Sequence, residues 1–500
     1  MRKSALSAAL LLAVGCGESK SSLEASWNER EVAPQQQPVF QSSSTEFGEA
    51  IPLSVLWKIR QGSSDYLTTS SATERDSLPL SGAYYYVPKT LLPGVASLYR
   101  LQNGSEHMDS PAFGEGGYTT EGVLGYPWAT RQPGTVEIMR AYNPANGDHA
   151  LTLNDHLITF PGETLSGYQL EPLGVYGYPR FINTHTWMLS LAAGAITVTS
   201  NAVAGGAVWE WRHNGKQYIN NHDYGRLLQA AIFSACPTTE DCRNPTEAGD
   251  GTGDPTPVPA RAHGSPVVAF VNEPTSQYTE SIPLEFVPGR VGGGADNPIL
   301  YKDVRIAKRI TPNYNGMPNV ARYTTYITVP RAVSRATVEI PTAYLTADLD
   351  NFYTYDVVLD EQGATPGPRK VTPPGETLEG MSAPCADRLL PGQTIANVHF
   401  EPLSGFGGVI ISNAAKDKAM GIYGAKPAQG GSVSAFGMWS FLCDTNDTST
   451  LGGSPNTTKF SAVNGAGLAA GQNVYDTWLI SGSFEEVRSA MRRLYTNGMK

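Results

Sequence analysis

"VWEWRHNGKQYINNHDYGRLLQ", residues 208 to 229, is the stretch on which the reading of the fold turns. Asn214-Gly215 supplies the two positive-φ residues of a type I′ turn between alternating flanks, so Val208 to Ile219 predicts a tight β-hairpin. The return strand runs into a crowd of polar side chains: Asn220, Asn221, His222, Asp223, Arg226 and Gln229. Apolar stretches lie on both sides. Polar groups set against a core need partners, so these residues either tie a strand end together or face a ligand.

Composition agrees with strands. Only 16% of residues are charged, against about 25% in typical soluble chains. The chain carries 52 Gly, 36 Pro and 24 Tyr, which suits a secreted all-β protein with many turns. A length of 500 residues exceeds one ordinary core and predicts two domains. The net charge of −10 and the lack of a basic block argue against nucleic acid as a partner.

The chain starts "MRKSALSAALLLAVGCGES". A basic head of Arg2 and Lys3 precedes the short apolar run from Ala5 to Val14, too short to span a bilayer. "AVGC" resembles the cleavage and lipidation site of bacterial lipoproteins, with Ala13 where that family prefers Leu. The resemblance assigns residues 1–16 to the signal peptide and the lipidation Cys; it implies cleavage before Cys16, a lipid on Cys16 and a lipid-anchored protein of the cell envelope. The membrane expected is the outer one, with the protein facing periplasm or exterior. Residues 17–50, rich in Ser, Gln and Glu, read as a flexible tether. Cys236, Cys242, Cys385 and Cys443 remain, and four cysteines allow three pairings. The local choice is Cys236–Cys242, leaving Cys385–Cys443. Loop closure would give them about 2 and about 4 kcal/mol. The rival is zinc, but "CPTTEDC" lacks the usual ligand gap and no His pair stands at finger spacing. No metal and no cofactor are expected.

Three stretches repeat from residue 51 to 182. Lys58, Arg100 and Arg140 fall in register, 42 and 40 residues apart. A Gly-bearing turn, an acidic residue with an aromatic or His, and a Gly-aromatic ending follow each one. This predicts a closed, pseudo-threefold β-domain, with a β-trefoil as the candidate. The units resemble a repeat family of unknown function in secreted bacterial and fungal proteins. The third copy carries Arg140, Gly147, Asp148, His149, Thr152, Gly167 and Tyr168; the second keeps Arg100, His107, Gly117, Tyr118, Glu121 and Gly122. In the first, Asp65-Tyr66 stands where Asp-His would. The resemblance implies no activity. His107 and His149 are expected to fix turns together with their acidic neighbours.

Residues 184–500 predict a large β-sandwich. Strands are expected in "SPVVAFVNEP", "YKDVRIAKRITP", "NVARYTTYITVP", "ATVEIPTAYL" and "GGVIISNA", and again in "KAMGIYGA", "GMWSFLCD" and "NVYDTWLISGS". One helix is expected at the end, where Ser483 and Glu486 make a capping box before the stripe of Phe484, Val487, Met491 and Leu494. It would strap the sandwich shut without chemistry of its own.

A second polar segment, "CRNPTEAGDGTGD", follows "NNHDYGR". Together they could wall a cleft. His222 is the candidate for proton transfer, since imidazole is the side chain that takes up and gives a proton near neutral pH, and Glu247 is its candidate carboxylate partner. Arg226, Asp223, Trp211 and Tyr224 are the candidate substrate-binding residues. The order "GGAVWEWRHNGKQYINNHD", then "YKDVRIAKRIT" and "ARYTTYITVP", resembles large β-sandwich domains of the galactose-mutarotase type, found in epimerases, polysaccharide lyases and glycoside hydrolases. In mutarotases a His and a Glu perform the proton transfers, which that resemblance would lay on His222 and Glu247. It implies a lipoprotein that binds and processes polysaccharide, its partner a polysaccharide or cell-surface glycan. The alternative is a non-catalytic adhesin in which both domains only bind. At "NNHDYGR" the structural alternative also stands: Asp223 with Arg226 as a buried ion pair, Asn220 and Asn221 on backbone groups. There is no G-x-S-x-G, H-E-x-x-H or P-loop.

Overall fold

The computed structural model describes residues 44–61, 65–77, 80–153, 166–180, 188–234, 243–250, 264–293, 297–363, 367–371, 398–442 and 456–498. The signal, most of the tether and all five cysteines lie outside the described residues. No described helix is long and apolar enough to cross a membrane.

The protein is all-β. Among the described residues the repeats form nine strands: β1 (Gly48–Gln61), β2 (Asp65–Thr69) and β3 (Leu80–Pro88); β4 (Leu98–Asn103), β5 (Glu106–Ser110) and β6 (Thr119–Gly125); β7 (Val136–Tyr142), β8 (His149–Thr152) and β9 (Gln169–Pro179). In each triplet the first strand is central and pairs antiparallel with the other two. The pseudo-threefold expectation thus takes the form of three three-stranded units set like blades, the first and third joined where Tyr178 and Pro179 of β9 pair with Tyr86 and Tyr85 of β3. The second strands β2, β5 and β8 lie against one another at the axis. Leu56, Tyr85, Leu98, Leu124, Ile138 and Leu151 fill the space between blades.

Two of the in-register bases, Arg100 and Arg140, join neighbouring blades. Arg100 donates from Nη1 to the Thr68 carbonyl at 3.3 Å and to Glu74 at 2.8 Å, and from Nε to Glu121 of its own blade at 2.6 Å. Arg140 repeats the pattern one blade on. It donates to the Asp109 carbonyl at 2.9 Å, to Glu115 at 3.1 Å and to its own Glu171 at 2.8 Å. The planar, many-donor guanidinium suits a three-way staple. The histidines obey the same rule. His107 Nδ1 faces Asp65 of the preceding blade at 3.2 Å, and His149 Nδ1 faces Glu106 at 3.0 Å. Each imidazole therefore meets the acidic residue of the previous copy.

Two sheets make the sandwich. The first runs β10 (Ile196–Asn201), β11 (Val208–His213), β12 (Leu228–Ser234), then β15 (Ala336–Thr346), β18 (Thr457–Asn464) and β17 (Ala435–Phe441). The second contains β13 (Arg305–Pro312), β14 (Val320–Val329), β19 (Gly471–Gly482) and β16 (Ala419–Ala425), neighbours in that order. Alternation sends Val338, Ile340, Met438 and Phe460 from the first sheet against Ile306, Tyr323, Met420 and Leu479 from the second. The hairpin forms as expected, with Asn214 at φ 48° and Gly215 at φ 84°.

The helix α1 (Phe484–Thr496) carries the expected capping box and lies on the outer face of the second sheet. Phe484, Val487, Met491 and Leu494 bury there among Tyr423, Trp478 and Ile480. Gly421 makes the close seat possible: a Cβ there would stand 2.7 Å from Met491 Cε and from Val487 Cγ1.

β1 belongs to both parts. Ala50, Ile51 and Pro52 pair with Tyr301, Leu300 and Ile299 of the sandwich, and from Leu53 onward the strand pairs with β3. Phe47, just before β1, sets its ring edge-on to Tyr301 at 5.7 Å, inside the sandwich core.

Candidate functional site

The polar crowd after the hairpin is mostly a knot. Asn220 is fully buried; its N–H donates to the Tyr344 carbonyl at 2.8 Å and its Nδ2 to the Asn456 carbonyl at 2.8 Å. Its Oδ1 accepts from the His222 N–H at 3.0 Å. Asp223 and Arg226 form the expected ion pair, and the Arg226 N–H closes the turn on the Asp223 carbonyl. Burial raises the Asp223 pKa although Arg226 opposes it. Gln229 is also held, its Oε1 accepting from the Ala248 N–H and its Nε2 donating to the Tyr224 carbonyl.

Two expected site residues are core residues. Trp211 is fully buried and donates from Nε1 to Ser481 Oγ at 3.0 Å, between the two sheets. It cannot stack on a ligand there. Glu247 is 1% exposed at its side chain, as is its ion-pair partner Lys308. Its other oxygen accepts from the Ala230 N–H at 3.0 Å, while Lys308 also donates to the Gly206 carbonyl and to Thr279 Oγ1. Burial drives the Lys308 pKa well down, and with both partners shut from solvent this pair is a closed structural contact. Glu247 has no face turned to solvent across from His222. Tyr224 is buried edge-on against Trp209, with burial raising its pKa, and His222 is half-buried on the turn.

The turn nevertheless borders a site. Gly225 and Gln229 line a cavity of about 240 Å³ on the outer face of the first sheet, together with Phe233, Phe286, Glu339, Tyr344 and Lys459. β-Alternation builds this face: Gln229, Ala231 and Phe233 oppose the core-facing Leu228, Ala230 and Ile232. On β15 strict alternation would send Glu339 and Thr342 to opposite faces. The register shifts between them, on both the β12 and β18 sides, so the extra residue of a bulge at Ile340-Pro341 brings both onto the cavity.

At the centre stands an ion pair set among aromatic rings. Lys459 lies across from Tyr344 on one side and Trp439 on the other. Its Nζ sits 5.0 Å from the Tyr344 ring centroid and 4.2 Å from that of Trp439. It donates to Glu339 Oε1 at 2.8 Å, which also accepts from Ser461 Oγ at 3.0 Å. Ser461 and Thr342 share a hydroxyl contact of 2.8 Å. Burial works against the Lys459 charge, but Glu339 and Tyr344 outweigh it and raise its pKa. The Glu339 side chain stays 22% exposed and Phe233 41% exposed, so both meet solvent at this face.

The only sequence signals for these residues were the strands that carry them. Lys459 and Glu339 come from segments far apart in the chain, and the bulge conceals the face that Glu339 occupies.

A family model described as a domain of unknown function, DUF5648, matches residues 101–188, which covers the second and third blades. No curated protein matches the chain. Among solved structures, a galactose 1-epimerase from Lactobacillus acidophilus NCFM is 9% identical, covering 59% of this chain and 94% of its own, with a TM-score of 0.30. A galactose mutarotase-like protein from Clostridium acetobutylicum is 9% identical over 59% of this chain and 94% of its own, with a TM-score of 0.28. A 4-alpha-glucanotransferase from Thermococcus litoralis is 8% identical over 59% of this chain and 37% of its own, with a TM-score of 0.30. Likeness at this level assigns neither substrate nor reaction.

Proposed function

We propose that the outer face of β12, β15, β18 and β17 binds a saccharide, on an exported, lipid-anchored protein of the cell envelope. The observation that carries the reading is the cavity itself. It combines apolar aromatic walls, Phe233, Phe286 and Tyr344, with a polar floor of Thr337, Thr342, Glu339 and Lys459. Flat aromatic surfaces suit the apolar faces of sugar rings, while fixed polar groups orient hydroxyls. The lipoprotein-like "AVGC" supports the location. Titration calorimetry against neutral and acidic polysaccharides tests the reading. Phe233 is exposed, so Phe233→Ala should keep the fold and weaken binding about tenfold or more. An unchanged affinity in this variant, or no binding across the panel, rejects the site.

A processing activity of hydrolase, lyase or epimerase type is the second reading, and the Glu339–Lys459 pair favours it. Glu339 is a solvent-reaching carboxylate inside the cavity, which is where a general base must stand. Glu339, and not Glu247, would then be the acid–base residue. Product analysis of any polysaccharide that binds separates this from an adhesin.

A further inference from the structure

The blades bring a second constellation together, away from the sandwich. Asp65 opens β2, Glu106 opens β5 and Asp148 immediately precedes β8, so the three copies give equivalent acidic residues at the pseudo-threefold axis. One carboxylate oxygen from each lies within 4.8 Å of the other two. The copies also meet through backbone: the His149 N–H of the third copy donates to Glu106 Oε1 of the second at 2.8 Å.

A second observation stands apart from this convergence. Asp148 is 2% exposed, and its Oδ1 is enclosed with no hydrogen-bond donor, while the other oxygen accepts from Tyr168. Asp65 Oδ1 is likewise enclosed without a donor. Buried acceptors are nearly always satisfied, and here two lie on carboxylates that meet. A cation held between the carboxylates is a partner of the kind such acceptors lack. The donor set is all oxygen, which selects a hard ion over a thiophilic one. Calcium holds oxygens at about 2.3–2.6 Å, so two of its ligands stand at most about 5 Å apart, which matches the spread of these atoms.

We propose that Asp65, Glu106 and Asp148 form a calcium site at the axis of the repeat domain, one ligand from each copy, and that the ion locks the three blades together. Water would complete the shell on the half-buried sides of Asp65 and Glu106. Chelator-treated full-length protein should bind calcium in titration calorimetry and melt roughly 5 °C higher when calcium is well above its dissociation constant. Magnesium, which demands a tighter octahedron, should do so less. Asp148→Asn should abolish both the binding and the calcium-dependent shift. Should that variant fail to fold, terbium luminescence of the wild type gives the answer: Tyr66 and Tyr168 lie beside the acids and should sensitise the lanthanide, and calcium should quench the signal by displacement. No calcium heat together with no displaceable terbium signal overturns the site. So does a melting shift that survives Asp148→Asn.

Discussion

Glu247 and Glu339 hold the same carboxylate in opposite settings. Glu247 drew notice because it lies close in sequence to His222, yet proximity along a strand does not say which side a residue faces. Its neighbours Thr246 and Asn244 line the cavity while Glu247 itself turns inward to Lys308. By contrast, Asp223 with Arg226 was readable, since a pair three residues apart can meet within one turn. Asp109 shows what burial does to an acid even with partners beside it. It is fully enclosed, and burial pushes its pKa from the ordinary 3.8 up to about 6, against the opposing pull of Thr68, Arg100 and Arg140. A raised carboxyl stabilises the fold only while protonated. Its contribution is full below the unfolded value, falls as pH rises through about 6, and amounts to about 3 kcal/mol. Asp109→Asn keeps an acceptor for Thr68, so urea midpoints of the variant should fall less between pH 4 and 7 than those of the wild type. Parallel profiles would place the pH dependence on other groups.

At the scale of elements, the hairpin and the terminal helix were legible because their signals are local. Asn-Gly sets a turn whatever surrounds it, and a capping box announces a helix start. The helix's worth is tertiary. Met491 is fully buried and reaches Gly408 and Gly421 across the second sheet. Met491→Ala should cost about 2–5 kcal/mol in denaturant unfolding, since the rigid glycine floor cannot rise to fill the hole. A loss under about 1 kcal/mol would mean that the strap is loosely seated. The bulge on β15 was not legible. "ATVEIPTAYL" reads as a strand, but nothing in it says that Glu339 and Thr342 share a face. The aromatic cage of Lys459 was hidden for another reason: it is assembled from three strands, and cross-strand register is a property of the whole sheet.

On the scale of the whole molecule, repeat period and composition foretold an all-β chain with a threefold part and a sandwich. They did not foretell that β1 serves both, because one apolar strand looks alike whichever sheet it joins. Fragment 184–500 would lose β1, baring the edge of Ile299–Tyr301 and the wholly buried Leu300 and Tyr301. It should therefore elute as aggregate, or melt well below the full chain; a monomer of undiminished melting temperature would show that β1 is dispensable to the sandwich. The same strand has a mechanical consequence. Any pull arriving from the N-terminal side first peels Ser44–Thr45 from Gly48 and Glu49, where the chain doubles back, and then bears on β1 along the strand's own axis. Its hydrogen bonds to Ile299–Tyr301, then to β3 and β2, lie across that axis and share the load together, as the teeth of a zip do when its two halves are slid lengthwise. A chain hung from a surface by that end would resist drag in its strongest direction, and would pass the force to both halves of the molecule before either could open.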